Sequence, residues 1–287
     1  MAGQDLGRSR GYHAGGVDSV ISVDDVAREA ARIAAEAPPP EELTRLARGE
    51  PFLSIDGLRA GYGKMEILHD FNLRVARNQS LCLIGPNGAG KSTVLHSIFG
   101  FTSIYAGTIT AGGKDVTRMR PFEKLRQAGI AYILQDNSVF PGMTVEENLW
   151  MGGFLMESQD AAKEAAERVF AKYDRLAARR RQPARVLSGG ERRLLEISRA
   201  LVTGPDVLLV DEPSIGLEPR YIDMVFEILD DLQHNEGKTI LMVEQNAKKG
   251  LEFADIGYVL VDGLLAKAGP GDELLADEDV GRLFLGG

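Results

Sequence analysis

The 287-residue chain is 44% hydrophobic and 26% charged, an ordinary globular mixture with enough apolar material for a sizeable core, and its length suits about two domains or one domain with an attachment. A net charge of -9 gives no general pull toward nucleic acid or anionic lipid. The single cysteine excludes an internal disulfide and a cysteine-built zinc site, and no apolar run approaches the roughly 20 residues that span a bilayer.

Residues 1–50 hold nine acidic residues, six arginines and no lysine, a composition unlike that of the remaining chain. Ser22 and Asp25 read as a capping box, with Asp in the usual Glu position. Val26, Ala30 and Ile33 then recur at helical spacing until Pro38, Pro39 and Pro40 stop the pattern. A second short helix is predicted from Pro40 to Arg48, ended by Gly49. The stretch is expected to be a helical or mobile extension offering little apolar surface to the core.

From Pro51 onward the texture is that of a main domain, 51–287. LSIDGL (53–58) and DFNLRV (70–75) alternate like half-buried antiparallel strands. LCLI (81–84), IAYIL (130–134), VLLV (207–210) and TILMV (239–243) are continuous apolar runs, suited to strands covered on both faces. Helical patterns separate them: one after Lys91, then about 144–178, 189–202 and 219–234. The order predicts an α/β fold with a mostly parallel sheet, an N-terminal antiparallel β-subdomain and a helical insertion at about 136–200. YVLVDGLLAKAG predicts a hairpin turning at Asp262-Gly263, with a last helix at about 271–284.

Three motifs carry chemistry. GPNGAGKS (85–92) fits G-x-x-x-x-G-K-[ST] between a predicted strand and a predicted helix, the context this phosphate loop requires. Its glycines, Gly85, Gly88 and Gly90, let the bare backbone N–H groups of the loop surround phosphate oxygens. Pro86, Asn87 and Ala89 complete that loop, and the helix N-terminus adds its positive end. Lys91 supplies a charge for the β- and γ-phosphates, Ser92 a hydroxyl for Mg²⁺, and Thr93 a reach to the α-phosphate. VLLVDEP (207–213) ends a buried strand in two carboxylates: Asp211 can hold the Mg²⁺ shell and Glu212 can take a proton from an attacking water. LSGGERR (187–193) opens a helix at Ser188, Gly189 and Gly190, a second anion-binding helix start. Gly85, Gln135, Asp211 and Gln245 all fall at carboxyl ends of apolar strands, the edge where open α/β sheets bind ligands.

The loop, the LSGG signature and the Asp-Glu strand end, in this order and spacing, resemble the ATPase subunit of an ABC transporter over about residues 51–287. The resemblance implies ATP and Mg²⁺ as cofactors, Tyr62 as the aromatic that stacks on adenine, and Gln135 as the glutamine touching Mg²⁺ and the attacking water. It implies that Ser188 and Gly190 close over ATP held by a second ABC ATPase subunit, related or identical, in a head-to-tail dimer. The resemblance further implies transmembrane permease subunits as partners, no nucleic acid, and a cytoplasmic location, peripheral on the inner face of the cell membrane. Trp150, Met151, Phe154 and Met156 are either ordinary packing or the face toward that permease.

Two positions depart from the broad pattern: Glu218 in GLEP, where most relatives carry Asp, and Gln245 in VEQNA, where most carry a histidine. VEQNA, GLEP, TVEENLWMG and the closing LFLGG resemble one branch, the second ATPase of branched-chain amino acid importers. An importer of another substrate, such as urea or amides, and a soluble ABC ATPase, such as an iron–sulfur assembly ATPase, are the alternatives. The Lys91–Ser188 separation is too short for the long coiled coil of repair ATPases, and a single cassette disfavours translation factors.

Overall fold

Two sheets share the chain, and the carboxyl edge of one of them gathers the functional residues. A computed structural model describes residues 37–135 and 138–284. The expected helix through Val26, Ala30 and Ile33 lies outside the described residues, as does the end of LFLGG.

Helix α1 (Pro40–Leu46) has Pro40 in its first turn and Glu41 and Glu42 near its positive end, both favourable to a helix start. It stops two residues short of the expected Arg48, which itself has φ 46°. The expectation of little apolar contact is corrected for this stretch. Leu43 is fully buried in the main core, and Gln79 Nε2 donates to Leu46 O at 3.0 Å.

Strands β1 (Leu53–Tyr62) and β2 (Met65–Val75) pair antiparallel, Leu53 opposite Val75. The larger sheet starts with β3 (Ser80–Ile84), every residue buried, and α2 (Lys91–Phe99) comes next. Then β4 (Ser103–Ala111) and the short β5 (Lys114–Asp115) return to the first sheet, whose order is β2-β1-β4-β5. The helix α3 (Pro121–Ala128) leads to β6 (Ile130–Ile133).

The helical pattern expected over 144–178 forms as three helices: α4 (Val145–Gly152), α5 (Gln159–Lys172) and α6 (Asp174–Ala177). Thr144 and Ser158 cap the first two with side-chain oxygens, satisfying N–H groups a helix start leaves unpaired. With α7 (Gly189–Leu201) they enclose their own apolar cluster around Leu149, Phe170, Leu176 and Leu195.

The chain continues through β7 (Val207–Asp211), α8 (Pro219–His234), β8 (Thr239–Val243), α9 (Ala247–Phe253), β9 (Ile256–Val261) and β10 (Leu264–Pro270). The hairpin turns at Asp262 and Gly263, both at positive φ, as a two-residue turn of this type requires. Helices α10 (Gly271–Ala276) and α11 (Glu278–Phe284) close the described chain. The six-stranded order is β10-β9-β3-β8-β7-β6, with only the β9–β10 pair antiparallel. Its two faces bury separate cores, which is why its strands read as unbroken apolar runs.

Candidate functional site

Strands β3, β8, β7 and β6 are neighbours, so the segments leaving their carboxyl ends lie side by side. Gly85 comes directly after β3, Gln245 just after β8 and Gln135 just after β6, while Asp211 closes β7. The strand-end placement expected from the sequence is the observed one.

Gly85 turns with φ 143°, and a Cβ there would meet Leu260 O at 2.1 Å; only glycine lets β3 leave the sheet so close to β9. The loop then wraps to the start of α2, whose first residue, Lys91, is 7% exposed. Its Nζ donates to Gly85 O at 2.8 Å and Pro86 O at 2.9 Å. Burial pushes this amine below its ordinary range, while the nearby Glu212 and Asp211 carboxylates pull it back up. A cavity of about 290 Å³ opens here, lined by Asn87, Gly88, Gly90, Lys91, Ser92 and Thr93 of the loop together with Tyr62 and Glu212.

Asp211 is buried, its carboxylate held between two hydroxyls. Ser92 donates to Oδ1 at 3.1 Å and Tyr132 to Oδ2 at 2.8 Å. Glu212 sits next in the left-handed region at φ 43°, a costly conformation for a residue with a side chain. Its N–H donates to Val243 O on β8 at 2.8 Å, which ties the turn down. Gln135 Nε2 donates to Glu212 Oε2 at 3.0 Å. Hard oxygens in this region are the Ser92 hydroxyl and the Asp211 carboxylate, one hydrogen bond apart, and the Glu212 carboxylate with the amide of Gln135 that donates to it. No cluster of three or more His, Cys, Asp or Glu that could hold a metal occurs among the described residues. The set fits Mg²⁺, which binds through one or two carboxylates plus phosphate oxygens.

Tyr62 ends β1 and is 44% exposed at the cavity mouth. Its Oη lies 2.5 Å from His96 Nδ1, with the rings edge to face. Ser188 caps α7, accepting from Glu191 N while Glu191 Oε2 accepts from Ser188 N at 2.9 Å. Ser188, Gly189, Gly190, Gln135 and Gln245 are not among the residues lining the cavity.

Sequence reasoning misses five residues around these groups. His96 contacts Tyr62, and Tyr132 binds Asp211. The buried Arg193 donates to Leu134 O at 2.8 Å and pairs with Glu196 at 2.9 Å, joining the Ser188 helix to the β6 end. The buried Glu244 accepts from Ser214 Oγ at 2.8 Å and Asn246 N at 2.9 Å, joining the segment after Glu212 to the loop of Gln245. The available signals are polar residues inside apolar patterns, Tyr132 in IAYIL and Glu196 in RRLLEIS.

The family model described as ABC transporter matches residues 68–215. The chain is 40% identical over 235 residues, 82% of its length and 100% of the relative's, to the high-affinity branched-chain amino acid transport ATP-binding protein BraG of Pseudomonas aeruginosa. It is 31% identical over 236 residues, 82% of its length and 97% of the relative's, to the lipopolysaccharide export system ATP-binding protein LptB of Haemophilus influenzae. Among solved structures, the ADP conformation of MJ1267, an ATP-binding cassette of an ABC transporter, superposes with a TM-score of 0.73 at 27% identity, covering 83% of this chain and 100% of that one.

Proposed function

The chain belongs to the ABC transporter ATP-binding family, and from that premise we propose that it drives an importer of branched-chain amino acids. As a member of that family it is an ATPase, hydrolysing ATP to ADP and phosphate. The observation that carries the reading is the cavity where Tyr62, the Lys91 loop and Glu212 converge, with Asp211 one hydrogen bond behind Ser92. The cargo is supported by the 40% identity to BraG, above the 31% to the export relative.

In this reading Tyr62 stacks on adenine, the loop's backbone N–H groups and the α2 N-terminus receive phosphate oxygens, and Lys91 pairs with the β- and γ-phosphates. Thr93 reaches the α-phosphate. A water attacks the γ-phosphorus, the bond to the ADP oxygen breaks, and the water's proton passes to Glu212, which Gln135 holds in place. Ser92, Asp211 and Gln135 would hold Mg²⁺, which when bound offsets charge on the phosphate oxygens. Ser188, Gly189 and Gly190 close over the nucleotide of a second ATPase subunit in a head-to-tail dimer, and Gln245 senses the γ-phosphate.

No described helix is long and apolar enough to cross a membrane; in this reading coupling runs through separate permease subunits from a peripheral position, as the family relationship suggests. Phe154, 76% exposed beside Met151 on the helical cluster, supplies an apolar face for that contact. The test is transport into vesicles carrying the whole complex. Leucine, isoleucine and valine accumulate on ATP addition, and Lys91→Ala abolishes both accumulation and tight ATP binding. Accumulation of urea or amides in their place would overturn the cargo. ATP affinity unchanged in Lys91→Ala would overturn the site.

A further inference from the structure

We infer that Tyr132 is a positioning residue for the metal-holding carboxylate of Asp211. The proposal rests on the assignment of Asp211 to Mg²⁺. It adds a residue that phosphate-loop and strand-end patterns do not mark.

Tyr132 sits on β6, in parallel register with β7 through its partner Leu209. Its ring is half-buried and packs at 5.5 Å on Phe99, the last residue of α2, and at 5.9 Å on Phe101. His96, also on α2, lies 5.7 Å away. The ring is therefore fixed by the phosphate-loop helix, and the hydroxyl reaches Asp211 Oδ2 from there. The other carboxylate oxygen, Oδ1, faces Ser92 in the first turn of the same helix. One helix thus grips the carboxylate at both oxygens, directly through Ser92 and indirectly through the aromatic ring.

Chemistry explains the benefit. A carboxylate at a strand end rotates about its Cβ–Cγ bond unless something fixes it. A neutral phenol donor fixes one oxygen without contributing a positive charge that would compete with a cation. An ordinary phenol holds its proton at neutral pH, so the hydroxyl serves Asp211 as a donor. Oδ1 is left directed toward Ser92, the second oxygen that a cation would use. Hydrogen-bond partners behind a metal ligand typically matter about 10–100-fold in metal affinity.

The test uses the full chain, with Mn²⁺ as the probe, ADP present and electron paramagnetic resonance as the readout. Tyr132→Phe keeps the ring and removes only the hydroxyl. We expect its Mn²⁺ dissociation constant to rise about tenfold, with metal-free ADP affinity within twofold and the thermal midpoint close to wild type. Mn²⁺ affinity within twofold of wild type overturns the proposal. A Tyr132→Phe chain that no longer folds overturns it too, because the hydroxyl would then hold the fold and not the ligand. Asp211→Asn is the separating control: if that variant keeps wild-type Mn²⁺ affinity, the assignment of Asp211 fails first.

Discussion

Gln135 donates a hydrogen bond to Glu212 across 3.0 Å, joining the ends of two adjacent strands, β6 and β7. A neutral amide orients a carboxylate without neutralising it, so Glu212 stays able to accept a proton. Its backbone is equally constrained, at φ 43° with its N–H tied to Val243 O. Glu212→Gln is therefore expected to keep ATP affinity and to lose turnover by about 10² to 10⁴, the usual scale for a general base. The check is steady-state hydrolysis beside an ATP titration. Turnover near wild type would remove the base assignment.

Tyr62 presents its ring at the cavity mouth and its hydroxyl to His96. Stacking reads the face of a base more than its edges, so Tyr62→Ala should weaken ATP and GTP alike. Base–aromatic stacking contributes about 1–3 kcal/mol in nucleic-acid binders. Tyr62→Phe keeps the ring and should retain most of the affinity. Fluorescence titration of both nucleotides decides this, and unchanged affinities for the alanine variant would show that the ring is not the platform.

Leu43 is the apolar anchor of α1, fully buried in the main core. Leu43→Ala is expected to cost about 2–5 kcal/mol, the range for a truncated core leucine. The measurement is the urea midpoint of the full chain. A loss below about 0.5 kcal/mol, the scale of surface substitutions, would mean that α1 stands off the body in solution.

The site is legible in the sequence because its demands are local: a strand, a glycine loop, a lysine and a strand-end acid pair all leave short patterns. The features that escape depend on contacts distant in sequence. Periodicity does not mark β4, because its buried isoleucines, Ile104 and Ile109, lie on either side of an exposed stretch. Its pairing with β1, Leu53 opposite Ala111, makes it a strand. The single helical pattern over 144–178 breaks at Gly152 and Gly153, where a Cβ would meet Arg199 O at 2.4 Å and Ala162 Cβ at 2.5 Å. Helical spacing cannot foresee a neighbour that close. Tyr132 reads as part of an apolar run, since its partner Asp211 lies 79 residues away in the chain.

Lys124 on α3 is fully buried, and its Nζ donates to Ser97 O at 3.3 Å and Ile98 O at 2.6 Å in the last turn of α2. Burial pushes this amine down to about 8, against roughly 10.4 for a lysine in an unfolded chain. Below about pH 8 both states hold the proton and the folded state bears the whole cost of burying the charge. Between about 8 and 10.4 the unfolded state binds more protons, so stability rises with pH. Urea midpoints at about pH 7 and about pH 9.5, on either side of that rise, should show wild type gaining on Lys124→Met. A wild-type advantage that stays flat with pH would contradict the sign.

Gln245 lies just beyond β8 and is exposed at the same sheet edge as Gln135 and Asp211. Its loop is anchored by Glu244, which holds Ser214 and Asn246 together. In most proteins of this family a histidine at this place donates to the γ-phosphate and keeps the water in line. A glutamine amide donates the same bond through its NH₂ and accepts another through its oxygen. It carries no charge and does not titrate near neutral pH, as histidine does, so in the proposed mechanism Glu212 would bear more of the water activation. Gln245 is not among the residues lining the cavity of the single chain, and under the proposed head-to-tail dimer its contribution is measured in the whole complex. Gln245→Ala should slow hydrolysis by the complex about tenfold or more, the scale of a lost transition-state hydrogen bond. Gln245→His should restore activity and add a pH dependence near the histidine value of about 6.5. An alanine variant within twofold of wild type would make Gln245 a spectator, with turnover supplied mainly by the partner subunit's site.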